Sequence, residues 1–159
     1  YKADDDRFGV CSRNLDLIET DDNAFWQVAR KHDLENKMRA HGRSMAIQGE
    51  LMGPGVQGNR EKLSELDIFV FDMFDISTFK YLYQKERVEI CNKFKLNHVP
   101  MVEHSDVFSG FMDVKQFLQY AERPSLNHDQ AEGIVFKSID FPCYSFKAIS
   151  NKYLLDGGE

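Results

Sequence analysis

Between residues 21 and 41 the apolar positions Phe25, Val28, Ala29, Leu34 and Met38 recur near a helical spacing. Asp21 or Asp22 stands where a helix cap would be, and Gly42 supplies the stop, so the spacing predicts one helix running to about His41. Residues 44–51 and 68–76 lack that period and read as strands. In the second of these, strict alternation puts Ile68, Val70, Asp72 and Phe74 on one face and Phe69, Phe71, Met73 and Asp75 on the other. Phe69 and Phe74 are expected in the core. The two strands flank a glycine-rich loop, Gly53-Pro54-Gly55-Val56-Gln57-Gly58-Asn59. A helical turn near Tyr81, a helix over residues 86–94 and a strand over residues 99–103 follow. Asp113 then caps a helix through Tyr120, and a polar loop over residues 123–130 leads to two short strands around Glu132 to Lys137 and Ser145 to Ile149. At the front, residues 1–3 and 7–13 flank Asp4-Asp5-Asp6 and predict a hairpin with an acidic turn.

Strands and helices thus mix without strict βαβ alternation, which predicts an α+β fold with largely antiparallel sheets and flanking helices. The 159 residues suit one domain with a substantial core. No apolar run reaches the roughly 20 residues of a membrane helix, and no secretory signal is visible. Cys11, Cys91 and Cys143 are odd in number and share no metal-ligand spacing, as expected of free thiols in an intracellular, cytoplasmic protein. A net charge of −6 argues against a nucleic-acid binder that works through bulk charge, but leaves room for a local basic groove. The sequence opens inside a predicted strand without Met and closes without a final element. We therefore expect a domain, residues 1–159, cut from a longer polypeptide at the N-terminus and at the C-terminus.

The candidate chemistry lies in charges placed on strands. Glu132 and Gly133 open the run Ile134-Val135-Phe136-Lys137, and Lys147 follows ten residues after Lys137. Ile134 and Phe136 fall on the face of Glu132, with Val135 and Lys137 on the other. A mid-strand ammonium such as Lys147 is costly without an anionic partner, and a triphosphate would be one. Lys152 is either a second such cation or a surface lysine. Glu50 sits at a strand end before the glycine-rich loop, placed to accept from a ribose hydroxyl or to orient a hydrated metal ion. Phe71 is the candidate platform for a purine, since base–aromatic stacking is worth roughly 1–3 kcal/mol. Arg13 can clamp a phosphate. The five histidines, His32, His41, His98, His104 and His128, read as structural or solvated.

Taken in order, Ser12-Arg13-Asn14, Gly49-Glu50-Leu51, Phe69-Val70-Phe71-Asp72, Glu132 to Lys137 and Lys147 resemble the signature of ATP-dependent RNA ligases. Those enzymes belong to the covalent nucleotidyltransferase superfamily, with an ATP-grasp-like ligase domain. Gly9 to Leu15, Phe25 to Ala29 and Gln48 to Asn59 look most like the nick-sealing branch, in which this domain can follow an OB-fold domain. The resemblance implies an adenylyltransferase domain that uses ATP and Mg2+ or Mn2+ on RNA ends or a nicked duplex. It implies that Arg13 contacts ribose or phosphate, that Glu50 holds the ribose and metal waters, and that Phe71 stacks on adenine. Glu132 would help hold the divalent ion and Lys147 the transferring phosphate. The family nucleophile lies in a Lys-x-Asp-Gly motif, and this sequence has none; Lys2-Ala3-Asp4-Asp5 imitates it with Asp5 in place of glycine. The nucleophile is therefore expected upstream of Tyr1, with Lys2 an ordinary lysine and the isolated chain inactive in self-adenylylation. Where the family often has a second lysine two residues after the first, this chain has Ile149, so Lys152 either substitutes for it or is a surface lysine. A capping-type guanylyltransferase, a DNA ligase, and a nucleotide- or RNA-end-binding domain without catalysis stand as alternatives.

Overall fold

The computed structural model describes residues 1–102 and 106–157. In chain order the elements are α1 (Ala24–Lys31), α2 (Leu34–His41), β1 (Met45–Met52), β2 (Asp67–Asp75), β3 (Lys80–Tyr81), α3 (Gln84–Phe94), β4 (Asn97–His98), α4 (Val114–Ala121), β5 (Gly133–Lys137), β6 (Ser145–Ile149) and α5 (Asn151–Leu155). β2 pairs antiparallel with β1 and β3 and parallel with β4, while β5 and β6 form a separate antiparallel pair. The α+β architecture with mainly antiparallel sheets is as the sequence predicts.

Five local expectations change. The single helix over residues 21–41 is two, because Asp33 takes a left-handed conformation with φ of 50°. A short polar side chain tolerates that conformation better than most. The cap of α1 is Asn23 rather than Asp21 or Asp22, its side chain accepting from the amides of Phe25 and Trp26. The turn near Tyr81 is a short strand, since Phe74 and Asp75 offer Tyr81 and Lys80 an edge to pair with. The strand expected at residues 99–103 falls instead on Asn97–His98, and Val99 ends it by donating to the Val70 carbonyl; Glu103 lies outside the described residues. The front hairpin reduces to one bridge, Lys2 to Arg7, because the backbone of Tyr1 is taken by Met45.

β2 carries the most consequential departure. Its register against β1 slips between Gln48, paired with Asp72, and Gly49, paired with Val70, so that Phe71 is an extra residue. Beyond that bulge the alternation inverts. Val70 and Met73, expected on opposite faces, both lie in the same core, fully buried, with Met45, Leu82, Ile90, Cys91, Phe94 and residues of α1 and α2. Asp72 moves to the opposite face with Gln48, as does Phe74 with Ala46. Phe74 is accordingly not core: it meets the rings of Phe79 and Tyr81 at 5.8 and 5.1 Å. Phe69 is buried as expected, but opposite Glu50 on the face away from this core. Gly49 is required at the bulge, since a Cβ there would come within 2.6 Å of Ile68 and 2.9 Å of the Phe69 carbonyl.

The second core lies between α4 and one face of the β5–β6 pair. Phe136 and Ala148 are buried there beneath Phe108, Phe117, Leu118 and Tyr120, with Ile134 beside them. A full capping box at Asp113 and Gln116 starts α4, so this sequence expectation holds. Each sheet thus buries one face against helices, and from the other face of the β5–β6 pair Lys137 reaches β2.

The bulge has a stability signature. Met73→Ala should cost about 2–5 kcal/mol, as for other buried methionines, and Phe71→Ala less than about 1 kcal/mol. Urea denaturation measures both; comparable losses would contradict the inverted alternation.

Candidate nucleotide site

The faces left free by the two cores meet at one ionic contact. Lys137 projects from β5 on the face of Val135, and its Nζ lies 2.5 Å from Oδ2 of Asp72 and 3.4 Å from the carbonyl oxygen of Phe71. Asp72 is buried, and its other oxygen lies 3.4 Å from Nη1 of Arg87, itself buried on α3. Arg87 Nε donates in turn to Nε2 of His98 at 3.0 Å. Four charged or titratable groups from β2, β5, α3 and β4 thus form one chain running from the first sheet to β5. Burial first, with weaker attraction from Asp72 opposing it, pulls the Arg87 pKa below its ordinary value.

The predicted site residues distribute around that contact. Glu132 sits directly before β5, and its carboxylate accepts from Lys147 of β6; both side chains are about half exposed. The pleat of β5 predicts Glu132 on the Ile134 face, yet its carboxylate reaches Lys147, which pairs with Val135. Glu132 lies outside the ladder and is not held to its alternation. Lys147 is therefore not a buried ammonium in search of a partner, as its mid-strand position suggested. Its partner in this structure is Glu132. Gly133 permits the arrangement by close approach: a Cβ would stand 2.2 Å from the Ala148 carbonyl.

Glu50 is exposed on β1 and accepts from Gln57 of the glycine-rich loop at 3.2 Å. Phe71, 40% exposed, is half open to solvent at the bulge that Lys137 touches. Val135 is exposed too, on the same strand face as Lys137 and Lys147. Arg13 lies in an exposed turn closed by the Cys11–Asp16 bridge and makes no hydrogen bond or ion pair among the described residues. Lys152, on α5, pairs with Glu122 at 3.6 Å rather than with Glu132.

A second set of contacts ties the two halves together. Glu61 is buried and accepts from the Ser125 hydroxyl at 2.5 Å and the Asn127 amide at 2.7 Å. Arg60 donates to the Gln130 carbonyl at 2.6 Å and lies over the Tyr153 ring. The end of the glycine-rich loop is thereby fastened to the segment that leads into β5. Among the described residues no three of His, Cys, Asp and Glu converge as a metal cage. A divalent ion here would take one or two carboxylates and complete its shell with phosphate oxygens and water, as Mg2+ characteristically does.

The family model for RNA ligase matches residues 1–151. The chain belongs to the RNA ligase family. Solved structures agree. An apo form of Naegleria gruberi RNA ligase, carrying an aspartate-to-alanine change, superimposes with a TM-score of 0.88 at 38% identity, over 96% of this chain and 46% of that one. A lysine-to-alanine variant of that ligase, solved with ATP and Mn, gives 0.88 at 39% identity over 96% and 45%. A glutamate-to-alanine variant, also with ATP and Mn, gives 0.89 at 37% identity over 98% and 47%. The chain therefore spans less than half the length of the ligases it matches. No curated protein matches it. Among the described residues no helix is long and apolar enough to cross a membrane.

Sequence reasoning singled out Glu50, Phe71, Glu132 and Lys147 in this RNA ligase domain, but not the set behind them. Asp72 was misplaced by the unseen bulge, and His98 and Glu61 carry no local signal. Only the charge of Arg87 in the otherwise apolar stripe Val88, Ile90, Cys91 and Phe94 hints at a buried partner. The exposed Glu132–Lys147 pair, by contrast, contributes little to folding, since such pairs are worth about 0–1 kcal/mol. Lys147→Met should leave the melting temperature of the ligand-free chain within about 2 °C of wild type. A much larger drop by calorimetry would make the pair structural.

Proposed function

We propose that these residues form the nucleotide-binding part of an ATP-dependent RNA ligase that joins 3′-OH and 5′-phosphate RNA ends. In that reaction a lysine attacks ATP at the α-phosphorus and pyrophosphate leaves. The AMP passes to the RNA 5′-phosphate, and the 3′-OH then displaces AMP as the phosphodiester forms. The observation that carries the reading is the ionic contact of Lys137 on β5 with Asp72 on β2, which brings the two sheets together. An exposed aromatic at a bulge stands on one sheet, and a carboxylate–lysine pair stands at the other. Likeness to a ligase solved with ATP and Mn supports it.

The roles follow from placement. Phe71, presented outward by the bulge, stacks on adenine, and the exposed Val135 offers an aliphatic surface near it. Glu50 accepts from the ribose hydroxyls, with Gln57 steadying its carboxylate. Arg13, in its open turn, reaches the ribose or phosphate. Lys147 exchanges its contact with Glu132 for phosphate oxygens, which stabilises charge developing on the transferring group. Lys152 is the second candidate cation, held by Glu122 in the free state. A bound Mg2+ or Mn2+, held by Glu132 and through water by Glu50, would offset phosphate charge.

The sequence contains no Lys-x-Asp-Gly, so the attacking lysine comes from elsewhere in a longer polypeptide and the 159 residues alone bind ATP without becoming adenylylated. The same absence favours a second reading, an RNA-end-binding domain that never carried the nucleophile. A Lys-x-Asp-Gly encoded just upstream would eliminate it.

Incubated with ATP and Mg2+ or Mn2+, the chain should melt at a higher temperature and show no AMP adduct by intact mass. An adduct would place the nucleophile among the lysines present. Phe71→Ala should weaken ATP binding roughly 5- to 150-fold, matching a loss of about 1–3 kcal/mol of stacking. In the longer polypeptide Glu132→Ala should abolish self-adenylylation; full activity would sink the site.

A further inference from the structure

His98 is buried enough that its contacts define its protonation. Arg87 Nε can only donate, so Nε2 of His98, 3.0 Å away, must accept. The Val99 carbonyl can only accept, so Nδ1, at 2.6 Å, must donate. Both contacts are satisfied by one species alone, the neutral imidazole with its proton on Nδ1. A second proton on Nε2 would face a guanidinium whose side chain is 5% exposed, against the single carboxylate of Asp72. The charged groups around the ring are Arg87 from α3, Asp72 from β2 and Lys137 from β5.

We propose that Arg87 and His98 are positioning residues of the nucleotide site. Neutral His98 orients Arg87 toward Asp72, and Asp72 so fixed holds the Lys137 ammonium against the Phe71 carbonyl. That contact sets the bulge that presents the Phe71 ring. The inference rests on Phe71 being the adenine platform. Its physical basis is a continuous relay of contacts, at 3.0, 3.4, 2.5 and 3.4 Å, ending on the backbone of the residue that meets the base. Protonation of His98 breaks the first contact and leaves excess positive charge beside Asp72, loosening the rest.

Burial, above all, holds the His98 pKa below its ordinary value of 6.5; the Val99 carbonyl and Asp72 oppose this, while Arg87 and Lys137 assist it. The folded state thus binds fewer protons than the unfolded one as the pH falls below 6.5. The stability due to neutral His98 is complete above that value and is lost as the pH falls through the lower folded value.

The test is calorimetric titration of the 159-residue chain with ATP and Mg2+ at pH 7.5 and 5.5, for wild type and His98→Gln. The glutamine amide can accept from Arg87 and donate to the carbonyl without titrating. Titration of the nucleotide itself is common to both proteins and cancels in the comparison. Wild type should lose more affinity than His98→Gln between the two pH values, by less than the limit of about tenfold that is reached only below both the free and the bound His98 pKa. A purely structural histidine would change the melting temperature and leave those ratios equal. A second measurement needs no variant. Linkage is reciprocal, so saturating ATP and Mg2+ should lower the His98 pKa, read from its ring resonances, by about one unit for a tenfold coupling. Equal affinity ratios, or a His98 titration unmoved by nucleotide, would overturn the inference. Failure of wild type to bind ATP at pH 7.5 would overturn the site itself and the inference with it.

Discussion

One extra residue in β2 organises both sides of the first sheet. A nine-residue strand of strict alternation would place Asp72 on the face of Val70, inside a core of Met45, Leu82 and Phe94 where a carboxylate has no place. The bulge at Phe71 instead lets Val70 and Met73 share that core while Asp72 turns to the open face. The same step pushes Phe71 outward. A core, a buried acid and an exposed aromatic ring are thus three consequences of one local irregularity. Bulges next to functional sites characteristically re-aim side chains in this way.

Asp72 then decides how the two sheets meet. Its pairing with Lys137 is the ionic contact that joins the open faces, and it is buried enough to matter, with side-chain exposures of 12% and 20%. The Glu132–Lys147 pair is built differently. It is open to water and contributes little to folding, so its members can leave one another for a phosphate or a metal ion at small cost. The domain thus holds one ion pair that joins the two sheets and one that stands open to solvent. Both kinds come from the same short stretch, Glu132 to Lys137, which explains why two acidic and basic residues five apart have unlike environments.

The proposed site rests on residue types that stand out along the chain because they are unusual in their places: a glutamate and a glycine at a strand start, a lysine within a strand, an aromatic beside an aspartate. What escaped reading had long-range causes. The break at Asp33 depends on α1 and α2 each finding the core, and on His32 and Lys31 reaching Asp67 at the start of β2. The exchange of a strand at residues 99–103 for a shorter one at Asn97 and His98 depends on the free edge of β2. The anchoring of Glu61 by Ser125 and Asn127 spans more than sixty residues.

By itself the sequence determined the class of fold and the RNA ligase signature, because periodicity and residue type are local properties. It could not determine which face of β2 carries Asp72, since one inserted residue reverses a period of two and leaves no mark on composition. Nor could it show that Arg87 and His98, distant from every motif, stand behind Phe71. Those facts were decided by tertiary structure, where burial leaves an arginine no solvent and forces it to find an acid and an acceptor within reach.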